Sequence, residues 1–125
     1  MNILDSTILL VVESRNDIYS FFSQCLGLEV VASSAGAQDS HEQLRFRLHE
    51  HVEIEIIVDP ALAAIANTAD LPILSLSFSN EDFELLQIFI RDRLPYQEMV
   101  VYDTPFAEII DLPNISGVRI QIRSI

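Results

Sequence analysis

Residues 7–31 read TILLVVESRNDIYSFFSQCLGLEVV, and this stretch determines the fold of the first half of the chain. Its first six residues are β-branched or aliphatic, which is typical of a buried strand. Ser14 and Asp17 form an S-x-x-D signature that predicts a helix start, and apolar residues follow at helical spacing. Gly27 predicts the helix end, because glycine adopts the left-handed conformation without strain. A second strand is predicted from Glu29 onward.

Alternation of apolar and polar residues predicts two further strands, over 44–49 and 52–58. The register should keep core residues opposite one another, because a slip of one residue would turn every side chain to the other face. Two oppositely charged pairs then also face each other, each worth about 0.2–1 kcal/mol. The expected pairs are Leu48 with Val52, Phe46 with Ile54, Leu44 with Ile56, Arg47 with Glu53 and Arg45 with Glu55.

The same order restarts after the small-residue connector 60–70. Residues 73–92, ILSLSFSNEDFELLQIFIRD, predict a strand, a helix capped by Ser79 with Asp82, and a helix end before Pro95. Three more strands are predicted over 98–102, 106–112 and 118–122. The predicted fold class is therefore α+β: one domain over 1–125, made of two tandem βαβββ modules whose curved mixed sheets surround a cleft. Module one spans 1–59, the connector 60–70 and module two 71–125.

The composition of the chain disfavours several classes of binding partner. The chain has 125 residues, half of them apolar, and a net charge of −12 with arginine as its only basic residue type. Such a charge disfavours nucleic acids and anionic membranes as partners, and it favours cationic ligands. The single cysteine, Cys25, excludes an internal disulfide and lies in an apolar helical pattern, so we predict a packed core thiol. Neither a signal peptide nor a membrane span is recognisable, and we predict a cytoplasmic protein.

Each predicted helix should cover one face of its sheet, which leaves the opposite face free for function. The residues expected under the helices are Ile8, Leu10, Val12, Phe46, Ile54, Leu74, Leu76, Ile120 and Ile122. The residues expected on the opposite, more polar face are Thr7, Leu9, Val11, Glu13, Arg45, Arg47, His49, Glu53, Glu55, Ile57, Ser75, Ser77, Arg119, Gln121 and Arg123.

This pattern resembles the vicinal-oxygen-chelate superfamily, which includes glyoxalase I, extradiol dioxygenases, fosfomycin-modifying enzymes and bleomycin-resistance proteins. The resemblance is carried by residues 7–31, by their echo over 73–92, and by the closing segment IIDLPNISGVRIQI at 109–122. That last segment is similar to the family's Asp-Pro-x-Gly-Asn turn before its final strand. The resemblance implies the glyoxalase/bleomycin-resistance fold and homodimers with clefts shared between chains.

The family's metalloenzymes hold a divalent metal with one side chain from each of four strands. The resemblance places Thr7, Ile73, Glu55 and Gln121 at those four positions. Threonine and isoleucine are poor ligands for Zn, Ni, Mn or Fe, and Glu55 has Arg45 as its expected partner. The resemblance therefore implies that the inherited metal site is lost, and we expect no metal, no cofactor and no enzyme activity.

Other chemistry in the sequence is sparse. Asp39, His41, His49 and His51 could suggest a metal site, but we predict solvated loop side chains. Glu13 could act as a base at the end of the first strand, although a solvated carboxylate is the commoner case. No glycine-rich phosphate loop and no nucleophile elbow are present. The row of Ser75, Ser77 and Ser79 could supply hydrogen bonds to a ligand.

The leading hypothesis is a non-catalytic small-molecule binding protein of the bleomycin-resistance type, acting by sequestration. An aromatic or cationic ligand would suit it, with stacking from Tyr96, Tyr102 or Phe106. One alternative is a metal-dependent enzyme with a displaced ligand set of Glu13, Glu55 and Gln121, and another is a degenerate dimeric interaction module. The residues predicted to line the cleft are Thr7, Leu9, Glu13, Arg45, Arg47, Glu55, Ser75, Ser77, Arg119 and Gln121.

Overall fold

A computed structural model of the chain describes residues 1–34, 42–67 and 72–125. Two modules follow one another, joined by the helix α2 (Pro60–Ala66). The first contains β1 (Ser6–Val12), α1 (Asn16–Tyr19) continued by a π-helical segment (Ser20–Cys25), β2 (Glu29–Ser34), β3 (Glu42–His49) and β4 (Val52–Val58). The second contains β5 (Leu74–Phe78), α3 (Asn80–Arg93), β6 (Val100–Asp103), β7 (Glu108–Ile115) and β8 (Val118–Ser124).

Each module builds one four-stranded mixed sheet with the same topology. The strand order is β1-β4-β3-β2 in the first sheet and β5-β8-β7-β6 in the second. The first strand of each module runs parallel to the last one, and the other neighbours are antiparallel. The predicted α+β fold of tandem βαβββ modules is therefore confirmed. Across the described residues, no helix is long and apolar enough to cross a membrane.

The predicted register of the β3–β4 hairpin is correct except at its turn. Four of the expected pairs are confirmed, including both charged ones. The pairing of Leu48 with Val52 is wrong, because a bulge between Arg47 and His49 brings His49 opposite Val52 instead. The bulge adds one residue to β3, so it breaks the alternation that placed His49 on the open face.

The helix of the first module does not start as predicted. The capping position is taken by Arg15, and no side chain of residues 1–34, 42–67 or 72–125 caps this end of α1. The hydroxyl of Ser14 donates instead to the hydroxyl of Ser116, at 3.4 Å. The predicted helix end is correct, since Gly27 has a φ of +69° directly after Leu26. The last turns are wide, with the amide of Leu26 bonded to the carbonyl of Phe21, as in a π-helix.

The helix of the second module follows the predicted signals. The hydroxyl of Ser79 accepts a hydrogen bond from the amide of Asp82, at 3.3 Å. Two arginines, Arg91 and Arg93, occupy the last turn, where the helix dipole favours positive charge. The connector also contains a capped helix, because the carboxylate of Asp59 accepts from the amide of Leu62.

One apolar core holds both modules together. Every residue predicted to lie under the helices is buried, except Ile8, which is half-buried against the core. The π-helical segment packs on α3, and the thiol of Cys25 points at the carbonyl of Phe89 from 3.7 Å. The prediction of a packed core thiol is confirmed, since Cys25 is buried. On the opposite face of each sheet, the described side chains other than Asp111 are exposed or half-buried.

Candidate functional site: two open sheet faces

The face of the first sheet opposite its helix, here called the first open face, forms three rows across the strands. Residues that share a register position lie side by side, so the rows follow directly from the strand pairing. The rows comprise Thr7, Glu53, Arg47 and Glu29; then Leu9, Glu55, Arg45 and Ala32; then Val11, Ile57 and Gln43. Leu9 is 56% exposed in the middle of a strand.

Among the described residues, one ion pair of the first open face runs diagonally between rows and the other runs straight across to a register partner. Arg45 contacts Glu53, with 3.3 Å between Nε and Oε2. Arg47 contacts Glu29 at 3.8 Å. The expectation that Arg45 neutralises Glu55 is therefore wrong, because Arg45 contacts Glu53 instead. The predicted register, in which Arg45 lies opposite Glu55, is correct. Glu55 has no salt bridge among the described side chains.

Two shallow depressions flank Arg45 on this face. The smaller one, of about 90 Å³, lies toward β2 and includes Ser33 and Glu55. The larger one, of about 240 Å³, lies at the start of β1 and includes Thr7 and His51. Arg45 lines both depressions.

The corresponding face of the second sheet, here called the second open face, carries different chemistry. Its residues are Ile73, Ser75 and Ser77 on or next to β5, Arg119, Gln121 and Arg123 on β8, Ile109 and Asp111 on β7, and Val100 and Tyr102 on β6. The amide of Gln121 donates to the hydroxyl of Tyr102, at 3.4 Å. Most of this face is uncharged.

Asp111 is the buried acid of the second open face and is only 6% exposed. Arg119 reaches it with two hydrogen bonds, from Nε to Oδ1 and from Nη2 to Oδ2, both of 3.0 Å. A bidentate contact of this kind is among the strongest side-chain interactions. Sequence reasoning did not select Asp111, although it alternates with Ile110 and Leu112 and could have been placed on this face by that signal.

Glu13 lies where the two modules meet and not on either open face. Its amide donates to the carbonyl of Ser116, at 2.7 Å, and its side chain packs over Gly117. Ser116 and Gly117 form the two-residue turn between β7 and β8, both with positive φ. The side chain of Gln97 donates to the carbonyl of Asn114 in the same region. The end of β1 is thereby held against the second module.

Two of the four side chains at the positions where the resemblance expects metal ligands, those of Thr7 and Ile73, do not suit a metal ion. Thr7 and Glu55 belong to the first sheet and occupy different rows, whereas Ile73 and Gln121 belong to the second. Ile73 has no donor atom in its side chain, and no three His, Cys, Asp or Glu side chains of the described residues are grouped to hold a metal ion. The residues present therefore do not fit the metal of the family.

The remaining residues that the sequence suggested for a metal site or for reactivity lie at separate places or outside the described residues. His51 contacts Asp5 and Glu50, at 3.4 and 3.9 Å, and not His49. Asp39 and His41 lie outside the described residues. Burial raises the pKa of the Cys25 thiol to about 11, against a smaller opposing effect of the Arg93 charge, so this thiol stays protonated at neutral pH.

Of the three aromatic residues expected to stack on a ligand, only Tyr102 stands on an open face. It is 38% exposed, and its ring lies in the row of Ile109 and Arg123. Tyr96 follows α3, and Phe106 lies between β6 and β7; both are far more exposed than Tyr102. The structure thus distributes the predicted cleft residues over two faces and the module junction.

Comparison with solved structures identifies the fold. FosX, a fosfomycin resistance protein from Listeria monocytogenes, superposes with a TM-score of 0.72 at 14% identity, covering 99% of this chain and 94% of that one. A glyoxylase/bleomycin resistance protein/dioxygenase domain from Frankia sp. EAN1pec gives 0.72 at 12% identity, over 99% and 92%. A glyoxalase family protein from Enterococcus faecalis gives 0.61 at 18%, over 98% and 97%. The chain has the glyoxalase/bleomycin-resistance fold.

These likenesses cover the whole chain and confirm the fold that the resemblance implied. A variant of the Listeria FosX, with a TM-score of 0.71 at 16% identity, is in complex with Mn(II) and a dihydroxypropylphosphonic acid. No protein-family model matches this sequence, and no curated protein matches it either. Since one fold hosts many activities, the function has to be argued from the two open faces.

Proposed function

We propose that this protein binds a small aromatic molecule on its open sheet faces without catalysing a reaction. The proposal is carried by one observation, the side chains at the inherited ligand positions. Thr7 and Ile73 stand at two of the four, and neither is a good metal ligand. A variant of FosX is in complex with Mn(II), whereas the described residues of this chain contain no group of three His, Cys, Asp or Glu side chains that could hold such an ion.

The open faces have the mixed character of a binding surface. The apolar side chains of Leu9, Val100 and Tyr102 are each more than one third exposed. Arg45, Ser75 and the paired Gln121 and Tyr102 supply directional polar groups beside them. Ligand sites typically combine an apolar surface with a few placed polar groups in this way.

We further propose that a second copy of the chain completes the site. The first open face carries three glutamates and two arginines, and the second carries two arginines and one aspartate, so their net charges are −1 and +1. Opposite charges favour apposition of the two faces in a homodimer. Sedimentation equilibrium measures this state directly. A cytoplasmic location stays a prediction from the sequence.

Thermal unfolding tests the binding function. The full chain, purified without chelator or affinity tag, is heated with a panel of uncharged planar aromatic compounds. A compound present at about 100 times its Kd stabilises the folded state by about 2.7 kcal/mol, which raises the Tm by several degrees. Tyr102→Ala should lose this shift, whereas Tyr96→Ala, the matched control, should keep it because Tyr96 lies on neither open face.

Catalysis is tested on the same samples. Mass spectrometry after long incubation should recover each bound compound unchanged, with or without added Zn, Ni, Mn or Fe. The proposal fails if the purified protein holds a stoichiometric metal, or if a compound is consumed in a reaction that chelator and Glu55→Ala both abolish. That result would establish the metalloenzyme alternative. A panel that leaves the Tm unchanged throughout would instead favour an interaction module.

A further inference from the structure

The second open face contains a cation that has no acidic partner among the residues that the structure describes. Asp111, Arg119 and Arg123 are its charged residues, and the bidentate contact between the first two cancels their charges. The guanidinium of Arg123 is exposed and makes no salt bridge or side-chain hydrogen bond within the described residues. An uncompensated arginine on a sheet is notable in a chain with a net charge of −12.

The neighbours of Arg123 are hydroxyl and apolar groups. In the strand register Arg123 lies opposite Ser77 of β5 on one side and Ile109 of β7 on the other. Ser75 lies one row further along β5. The hydroxyls of both serines have no hydrogen-bond partner among the described side chains. A guanidinium fork beside free hydroxyls is a donor set that matches a carboxylate.

An apolar platform adjoins this donor set in the same row. Ile109 stands between Arg123 and Tyr102, with one strand on either side. Neighbouring strands are about 4.8 Å apart, so the two outer residues are separated by roughly 10 Å. A bicyclic aromatic ring could lie over Ile109 against Tyr102 while its acid group reaches Arg123, whereas a single ring is too short to make both contacts.

We propose that the second open face binds a planar bicyclic aromatic carboxylate, anchored by Arg123 with the Ser75 and Ser77 hydroxyls as additional donors. This inference rests on the proposed function, because it names the ligand class of the same surface. Glu55 of a second copy is the competing partner for Arg123. The ligand is favoured because Ile109 and the exposed ring of Tyr102, which share the row of Arg123, offer an aromatic ring a contact that a glutamate side chain would not use.

Two matched probes, one anionic and one uncharged, test on the full chain whether the site prefers a negatively charged ligand. The affinities of naphthalene-2-carboxylate and of the uncharged naphthalene-2-carboxamide are measured by calorimetry. Hydrogen bonds to a charged group predict that the carboxylate binds about ten- to a hundredfold more tightly. The overall negative field would favour the amide, so a preference for the anion must come from a local cation. Amide chemical shifts of Ser75, Ser77 and Arg123 report whether the probe lies on this face.

Variants locate the cation. Arg123→Gln should remove the preference for the carboxylate, and Arg123→Lys should keep part of it because the charge remains without the fork. Arg91→Gln is the control, since Arg91 also has no salt bridge among the described residues but lies at the end of α3. It changes the net charge equally and should leave both affinities unchanged. Circular dichroism verifies folding, and Ser77→Ala, with a smaller loss, replaces Arg123→Gln if that variant unfolds.

Several outcomes would overturn this inference and are separable from failure of the proposed function. Equal affinity for the two probes would show aromatic binding without an anion subsite. A carboxylate preference that survives Arg123→Gln would place the cation elsewhere. If Arg123→Gln weakens the dimer and leaves both probe affinities unchanged, the residue serves the contact between copies. If neither naphthalene probe binds while uncharged compounds of the panel do, the ligand class is wrong and the binding function stands.

Discussion

The first and second open faces are built on the same strand order but differ in how their charged side chains are paired. On the first, Arg45 and Arg47 are about half exposed, and each makes a single salt-bridge contact with the described residues, at 3.3 and 3.8 Å. On the second, one acid is buried beneath a bidentate arginine, with both contacts at 3.0 Å. Solvent screens exposed pairs strongly, whereas a buried carboxylate depends on its partner.

The two modules share a strand order, but this difference shows that their open faces need not share a function. The charges of the first open face are paired loosely and remain accessible to solvent or to a partner. The second open face has its charges paired internally, apart from Arg123, and presents mainly hydroxyl and apolar groups. The second face is therefore the better candidate for selective ligand contact, and the first for adaptable polar contact.

The largest expected effect separates the two kinds of ion pair. Asp111→Asn should lower the free energy of unfolding by about 2–3 kcal/mol, because it removes the charge from a buried bidentate contact while keeping the side-chain volume. Glu53→Gln, the matched change on the first open face, should cost less than about 1 kcal/mol, since its contact with Arg45 is exposed. Urea denaturation at neutral pH measures both.

Salt provides the control for this comparison. The contribution of the Glu53 pair should vanish at about 1 M salt, where the screening length falls to about 3 Å, while that of the Asp111 pair should persist. Equal losses in the two variants would contradict the distinction between the faces. Equal losses would mean that the burial of Asp111 adds nothing to the strength of its contact with Arg119.

Two glycines in the described part of the chain have a positive φ, and they allow a second comparison. Gly27 has a φ of +69° and open space where a Cβ would lie, whereas at Gly117, with a φ of +87°, an added Cβ would lie 2.7 Å from Cγ of Glu13. Left-handed backbone alone costs a non-glycine residue about 1–2 kcal/mol. Gly27→Ala should therefore cost about 1 kcal/mol and Gly117→Ala about 2 kcal/mol in chemical denaturation.

A double-mutant cycle decides whether the excess comes from the module junction. In a Glu13→Ala background, the cost of Gly117→Ala should fall to that of Gly27→Ala, since the crowding side chain is gone. Strict additivity of the two substitutions would show that Glu13 moves aside freely. The end of β1 would then not be held against the turn by this contact.

Much of the fold was predictable because local signals and periodicity agreed. Alternation over 52–58 defines β4 to the residue, and the Ser79 cap starts α3 as expected. The bulge after Arg47 was not predictable, since neighbouring strand geometry rather than residue type decides which residue is left unpaired. The diagonal ion pair of Arg45 with Glu53 was missed because a long arginine side chain reaches beyond its register position.

The candidate site was predictable only as a set of residues that share a face. Period-two alternation placed Thr7, Glu55, Ser75 and Gln121 on the faces away from the helices. It could not place Glu13, whose position depends on a contact with the other module, far away in the sequence. The burial of Asp111 was likewise invisible, since alternation gives the face of a side chain and not its depth.

The smallest effect concerns the starts of the two module helices, which carry the same S-x-x-D signature. Ser79→Ala should lower the free energy of unfolding by about 1 kcal/mol, because the hydroxyl caps the amide of Asp82. Ser14→Ala should cost less than about 0.5 kcal/mol, since Ser14 caps no helix amide and makes only an exposed 3.4 Å contact with Ser116. Both are measured by urea denaturation, with Ser79→Asp as a control that should retain the cap. A loss at Ser14 as large as that at Ser79 would mean that the first helix is capped in solution as its sequence predicts, and that the two modules are more alike than their structures indicate.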